Sequence, residues 1–197
     1  HALTGEYRVN DMLTLKSISA YRTGDTHTVI DFDQTPNPTL DVPAIYNDRQ
    51  FTQEFQALLT GERWSGVAGV FYLDGKSSGA FDTIAGNLGL AIAAAGSVDT
   101  KSFSIFGDFS YDLTDRLHLS LGGRYTRDDK DGSVLRLFYL GATPTPYTGG
   151  VNRPIFATRT NYTASKTFEK LTPRVSVSYD FSEAVTGYAS ISQGFKS

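Results

Sequence analysis

The chain has no cysteine in its 197 residues. That excludes a disulfide scaffold, a thiolate metal site and a cysteine nucleophile together. Its three histidines, His1, His27 and His118, are too few and too scattered for an imidazole metal cluster. A basic excess is missing as well. Lys and Arg number 18 against 21 Asp and Glu, a formal charge of −3, so no cationic surface invites nucleic acid. Nor is there a run of eighteen apolar residues. The nearest approach, Ile84 to Ala95, is too short and is interrupted by Gly86, Asn87 and Gly89. A bundle of membrane helices is thereby excluded. What is plentiful is glycine, at 19, and aromatic side chain, at 13%, a balance that favours strands and turns. The chain opens on His1 with no leader pattern, so a piece of a longer protein is expected.

Period-two alternation is the main positive signal. From 103 to 113 one face reads Phe103, Ile105, Gly107, Phe109, Tyr111, Leu113, and the other Ser104, Phe106, Asp108, Ser110, Asp112. Leu117, Leu119, Leu121, Gly123 and Tyr125 alternate with His118, Ser120, Gly122, Arg124 and Thr126. Leu171, Pro173, Val175, Val177, Tyr179 and Phe181 alternate with Thr172, Arg174, Ser176, Ser178 and Asp180. Weaker alternation predicts strands at 51–60 and 64–72, where Val67 and Phe71 make the second face apolar too. Segments 13–22 and 184–196, with a partial strand before Asn10, complete seven or eight strands. Three-residue turns at Thr114–Arg116 and Ser182–Ala184 would oppose Leu113 to Leu117 and Phe181 to Val185. A two-residue turn at Gly61-Glu62 would oppose Leu59 to Trp64, and Asn10-Asp11 offers a fourth short turn.

The other connections read as long loops: 23–50 with its prolines, 74–99 rich in Gly, Ala and Ser, and 128–165 with Pro144, Pro146, Pro154 and Gly149-Gly150. Within the second, 86–96 suggests a short apolar helix. Long loops at one end and tight turns at the other are the pattern of bacterial outer-membrane barrels. The strongest strands reach the roughly 9–11 residues that crossing a bilayer requires, against about 5–6 in soluble sheets. Trp64, Tyr72, Tyr111, Tyr125, Tyr179 and Phe181 lie near strand ends, where an aromatic girdle belongs. The predicted fold is all-β: an antiparallel transmembrane β-barrel segment spanning residues 1–197. A complete eight-stranded barrel and a soluble sandwich binding carbohydrate or protein share the alternation and stay open at this point.

Specific residues then narrow the choice. WSGVAGVFY, Trp64 to Tyr72, resembles the W-x-x-G-x-F-Y strand of TonB-dependent outer-membrane receptors. Phe106-Gly107, the run Tyr111 to Leu117 (YDLTDRL) and Leu121 to Thr126 (LGGRYT) are similar to that family's F-G-x-x-x-Y-x-L-T-D-x-L … G-x-R-Y-T hairpin. Phe168 to Arg174 (FEKLTPR) and Tyr188 to Ser197 (YASISQGFKS) resemble its F-x-x-L-T-P-R and Y-A-S-x-S-x-G-F-K-S segments. The order and spacing carry the likeness from about residue 50 to 197; the first 50 fit more loosely. The resemblance implies a large barrel around an N-terminal plug, in the bacterial outer membrane, with membrane lipid and TonB as partners. It implies uptake rather than catalysis, and no cofactor. A ferric siderophore is the commonest ligand it implies; cobalamin, heme and oligosaccharides are others. Plug, TonB-contacting box and closing strands would lie outside these 197 residues.

Candidate sites follow from chemistry. Residues 134–166 hold Arg136, Arg153, Arg159 and Lys166 with no carboxylate, interleaved with aromatics that include Tyr139 and Tyr147. Cations among aromatic faces suit an anionic, ring-bearing ligand, which makes Arg136, Tyr139, Tyr147, Arg153 and Arg159 the candidate ligand set. Arg124 and Arg174 project to the polar face, toward a lumen or plug, with Asp108, Asp112, Asp180 and Glu54 as possible partners. Asp128 to Ser133 fails as a calcium loop: with Gly132 sixth, Arg127 stands first and Phe138 twelfth. His118 and Ser120 share a face but lack an oxyanion motif, so a hydrolase reading is weak.

Overall fold

The computed structural model describes residues 1–37 and 39–197; Pro38, one of the expected loop prolines, lies outside them. Eight strands form one antiparallel sheet in chain order: β1 (Ala2–Arg8), β2 (Leu13–Asp31), β3 (Leu40–Thr60), β4 (Trp64–Ala85), β5 (Leu90–Asp112), β6 (Leu117–Leu140), β7 (Ile155–Ser182) and β8 (Val185–Ser192). Each strand pairs only with its sequence neighbours, so the sheet is open, with β1 and β8 as its edges. No helix among the described residues is long and apolar enough to cross a membrane.

All the predicted strands are present, but most are far longer than expected. β2 has 19 residues and β7 has 28. The long loops of the sequence reading are largely strand: the connections shrink to 32–39, 86–89 and 141–154. The end asymmetry survives as strand overshoot beyond the apolar band. The expected helix at 86–96 is corrected too, since only Gly86–Leu88 makes a 3-10 turn and Leu90 onward is β5. Strand pairing from β4 and β6 on both sides satisfies those backbone groups, so a helix has nothing to gain.

The register explains the band. On the apolar face Tyr21 opposes Phe51, Tyr72 opposes Phe103, and Ile105 opposes Tyr125. Eight residues toward the short turns, Trp64 opposes Tyr111 and Leu117 opposes Tyr179. Eight residues at strand rise span about 27 Å, close to the apolar height of a barrel wall. Immediately beyond the aromatic row the same face turns charged, with Lys101 opposite both Asp74 and Asp129 and Arg127 opposite Glu169. Arg127 bridges Asp129 at 3.3 Å and Glu169 at 3.2 Å. The Thr167 hydroxyl and the Arg127 guanidinium hold the Asp129 carboxyl below its usual range.

Two turn registers differ from expectation. Gly61 N–H donates to Trp64 O at 2.7 Å and Leu59 opposes Gly66, so the turn residues are Glu62-Arg63. The shift is by two residues, which preserves the faces. Its cause is the Trp64 indole lying over Gly61, where a Cβ would stand 2.2 Å from Nε1. At the β7–β8 turn Asp180 opposes Thr186 but Ser182 opposes Val185, leaving Phe181 bulged and its ring edge-on to Tyr179 at 5.0 Å. The β5–β6 ladder points Leu113 at Leu117 as expected: Asp112 pairs His118, and Thr114 Oγ1 accepts from the N–H groups of Arg116 and Leu117.

Proline positions agree with the ladders. Pro43 interrupts the β3–β4 pairing, which skips Val42 and Pro43. Pro173 presents its carbonyl to Gln193 N–H just where the β7–β8 ladder ends, so its missing N–H costs no pairing.

Candidate ligand-binding wall

The polar face of the sheet carries the side chains of interest. Even-numbered residues of β6 and β7 share it, because their register pairs even with even across Gly122–Arg174, Arg124–Thr172 and Lys130–Lys166. Toward the overshooting ends this face forms a recess of about 780 Å³ lined by Tyr46, Phe81, Val98, Val134, Arg136 and Thr160. Beside this recess a bulge in β7 leaves Arg159 unpaired, since Thr160 pairs with Arg136 but Thr158 pairs with Leu137. The bulge re-aims Arg159, and both guanidiniums then flank one ring: Arg136 lies 5.9 Å and Arg159 5.5 Å from the Phe138 centroid. Phe138 is one of the aromatics interleaved with the cations of 134–166, outside the five-residue candidate set, and its even number shares the Arg136 face.

The other three members of the expected set lie elsewhere. Tyr139 is on the opposite face, 3% exposed, packed with Ala91, Ala93 and Leu137. Burial, with Tyr147 and Asp82 nearby, pushes its hydroxyl above the usual range. Tyr147 belongs to the 141–154 connection, which folds back over that opposite face and lines a shallow cleft with Ile45, Ala80 and Leu135. Arg153 clamps the same connection, donating to Leu140 O at 2.9 Å, Thr143 O at 2.7 Å and Pro144 O at 3.3 Å. Gly141, at φ +98°, passes so close to this guanidinium that a Cβ would sit 2.1 Å from Nη1. The clasp that fixes the connection is Asp82, fully buried, which accepts from Thr145 N–H at 2.6 Å, Thr145 Oγ1 at 2.8 Å and the Thr148 hydroxyl.

Arg124 and Arg174 lie on the polar face of the sheet, with different partners. Arg174 approaches Asp108 at 3.7 Å. Gly122 makes room for that carboxylate, since a Cβ there would stand 2.4 Å from Asp108 Oδ2. Arg124 meets no carboxylate among the described residues. It lies 5.2 Å from the Phe71 centroid and 5.6 Å from that of Phe106, and donates to Ser104 Oγ at 3.0 Å and Thr126 Oγ1 at 3.3 Å. Glu54 instead accepts from Gln56 at 2.6 Å. Asp112 and Asp180 take the two ring nitrogens of His118, at 2.6 and 3.1 Å. With both nitrogens occupied, and Ser120 Oγ bonded to Ser110 Oγ at 2.8 Å, no nucleophile–base pair is assembled there.

Aromatics at polar-face positions mark where the cations of this face are held. Phe71 and Phe106 were visible as exceptions to the alternation, and both turn out to hold Arg124.

Comparison with known proteins places this geometry. The profile of the family described as TonB dependent receptor-like, beta-barrel, matches residues 1–197. The ferric yersiniabactin uptake receptor FyuA from Yersinia pestis superposes with a TM-score of 0.76 at 17% identity, over 96% of this chain and 26% of that one. The ferric-catecholate import receptor Fiu from E. coli K12 gives 0.56 at 9% identity, over 97% and 34%. The chain thus spans about a quarter to a third of the length of these receptors. A search of curated proteins found no significant match to the sequence.

Proposed function

The chain belongs to the TonB-dependent receptor-like β-barrel family, and on that premise we propose that it forms part of the wall of a bacterial outer-membrane receptor importing a ferric siderophore with energy delivered through TonB. The reading rests on one observation: Arg136 and Arg159 converge on the Phe138 ring at the mouth of the concave face. Two fixed cations beside an aromatic surface suit an anionic, ring-bearing iron complex, which offers both oxygen anions and π-faces. The two receptors it superposes on are described as carriers of ferric yersiniabactin and ferric catecholates, which supports the same ligand class. The apolar face contacts outer-membrane lipid, and Arg124 and Arg174 look into the space a plug would fill. Its role is binding and passage of a ligand, not catalysis.

The test is charge reversal. The double variant R136E/R159E in the intact receptor should bind and take up its ferric ligand at least about tenfold less well, the equivalent of one lost ionic contact. Uptake at the unmodified rate would sink the assignment. Arg153 is the matched control, because its guanidinium is engaged by loop carbonyls rather than offered to a ligand.

A further inference from the structure

Six cation–π contacts occur among the described residues, and all six lie on the polar face of the sheet. At the mouth Arg136 and Arg159 share Phe138. Further in, Lys130 and Lys166 share Phe168, at 6.0 and 4.8 Å. Deepest, Arg124 sits between Phe71 and Phe106. Arg136, Lys130 and Arg124 are successive six-residue steps along β6, about 20 Å each at strand rise. Tyr162, opposite Val134, and Lys170, opposite Thr126, continue ring and charge between the stations.

None of these cations has a carboxylate within ion-pair distance among the described residues. Lys130 donates to Ser197 O at 3.0 Å. Lys130 and Lys166 are moreover directly opposed across the ladder, an arrangement that repels and that a purely structural wall has no reason to keep. Among the even-numbered, polar-face positions from Arg124 to Phe138 and from Thr160 to Lys170 the one carboxylate is Asp128, recessed at 8% exposure with Oδ1 unpartnered.

We propose that the inner face of β6 and β7 is a stepwise track for an anionic, ring-bearing ligand, which passes from Arg136–Phe138–Arg159 to Lys130–Phe168–Lys166 and on to Arg124–Phe71–Phe106. The inference rests on the ligand class assigned above. The physical case is repetition: the chemistry that captures the ligand at the mouth recurs twice inward, and none of its cations is ion-paired among the described residues. A series of moderate sites conducts where one tight site would trap.

The experiment uses the intact receptor in whole cells and radio-iron(III) tris-catecholate as probe. Surface binding is measured in de-energised cells and uptake in energised ones. The track predicts that K130Q/K166Q binds the probe normally but imports it roughly tenfold more slowly, and that K130R/K166R restores the rate. R136Q/R159Q, by contrast, should lose binding itself. Unimpaired import by K130Q/K166Q alongside failed binding by R136Q/R159Q overturns the track and leaves the mouth assignment standing. Unimpaired import together with easier extraction of the lumen contents by urea would mean the wall docks an acidic protein segment instead, and the track falls. Failure of K130R/K166R to rescue removes charge as the cause and overturns it as well. Normal binding by R136Q/R159Q, or no binding by the unmodified receptor, removes the assigned ligand class and the track with it.

Discussion

Asp82 of β4 accepts hydrogen bonds from both the backbone N–H and the hydroxyl of Thr145, although 63 residues separate them. This buried carboxylate, reinforced by Thr148, draws the 141–154 connection across β5 and seals Ala91, Ala93, Leu137 and Tyr139 beneath it. The connection therefore lies against the face opposite the ligand mouth. Arg136 and Arg159 are left uncovered on the other side.

Removing the clasp should free the connection. In D82A the Thr145 and Thr148 donors lose their acceptor in a dry site, a cost of about 1–3 kcal/mol. Limited proteolysis within 141–154 should become faster while the barrel stays folded. An unchanged cleavage rate would show that Arg153 alone holds the segment.

A charge on the apolar band separates a membrane wall from a soluble sandwich. Leu121 lies mid-band on the outward face, between Leu117 and Tyr125. L121R should cost about 2–4 kcal/mol of assembly in a bilayer, and S120R on the wet face much less. The readout is the fraction of heat-modifiable, folded receptor in the outer membrane. Equal effects from the two substitutions would argue against lipid on the Leu121 side.

Gly61 tests the turn register. A Cβ there would meet the Trp64 indole at 2.2 Å, so G61A must displace the ring. The emission of Trp64, the chain's single tryptophan, should shift and the β3–β4 turn should loosen. An unaltered spectrum would mean that the indole does not lie over the turn.

Asp33 gives a pH-dependent prediction at the β2–β3 connection. The Thr35 hydroxyl, the Leu40 N–H and the Thr35 N–H hold its carboxyl at about 2, against 3.8 for a free Asp. A depressed value in the folded state stabilises the loop above pH 3.8, and that contribution disappears as pH falls through about 2. Hydrogen exchange at Thr35 and Leu40 should therefore quicken, relative to the acid baseline, only below about pH 4. D33N should remove the dependence. A carboxyl titrating near 3.8 would refute the turn geometry.

Within the band, the sequence by itself determined the element type and the two faces, because an apolar face meeting a polar one imposes a period of two. Leu117 to Tyr125 and Leu171 to Phe181 were legible for that reason, and so was the place of Arg124 and Arg174 on the polar face. Beyond the aromatic row the signal stops. At 74–85 and 90–101 the residues are mostly Gly, Ala, Ser and Thr on both faces, so alternation fades and the segments read as loops. Their strand character comes from neighbours: β4 and β6 supply hydrogen-bond partners to β5 along its whole length, a fact no single segment contains.

The site divides in the same way. Cations and rings between 134 and 166 marked the region, but composition cannot assign them to faces. The β7 bulge at Arg159 and the Asp82 clasp separated Arg136 and Arg159 from Tyr139, Tyr147 and Arg153. Only tertiary structure could decide that, because it depends on pairings between residues dozens of positions apart and on which side of the sheet a fourteen-residue connection finds its buried acceptor.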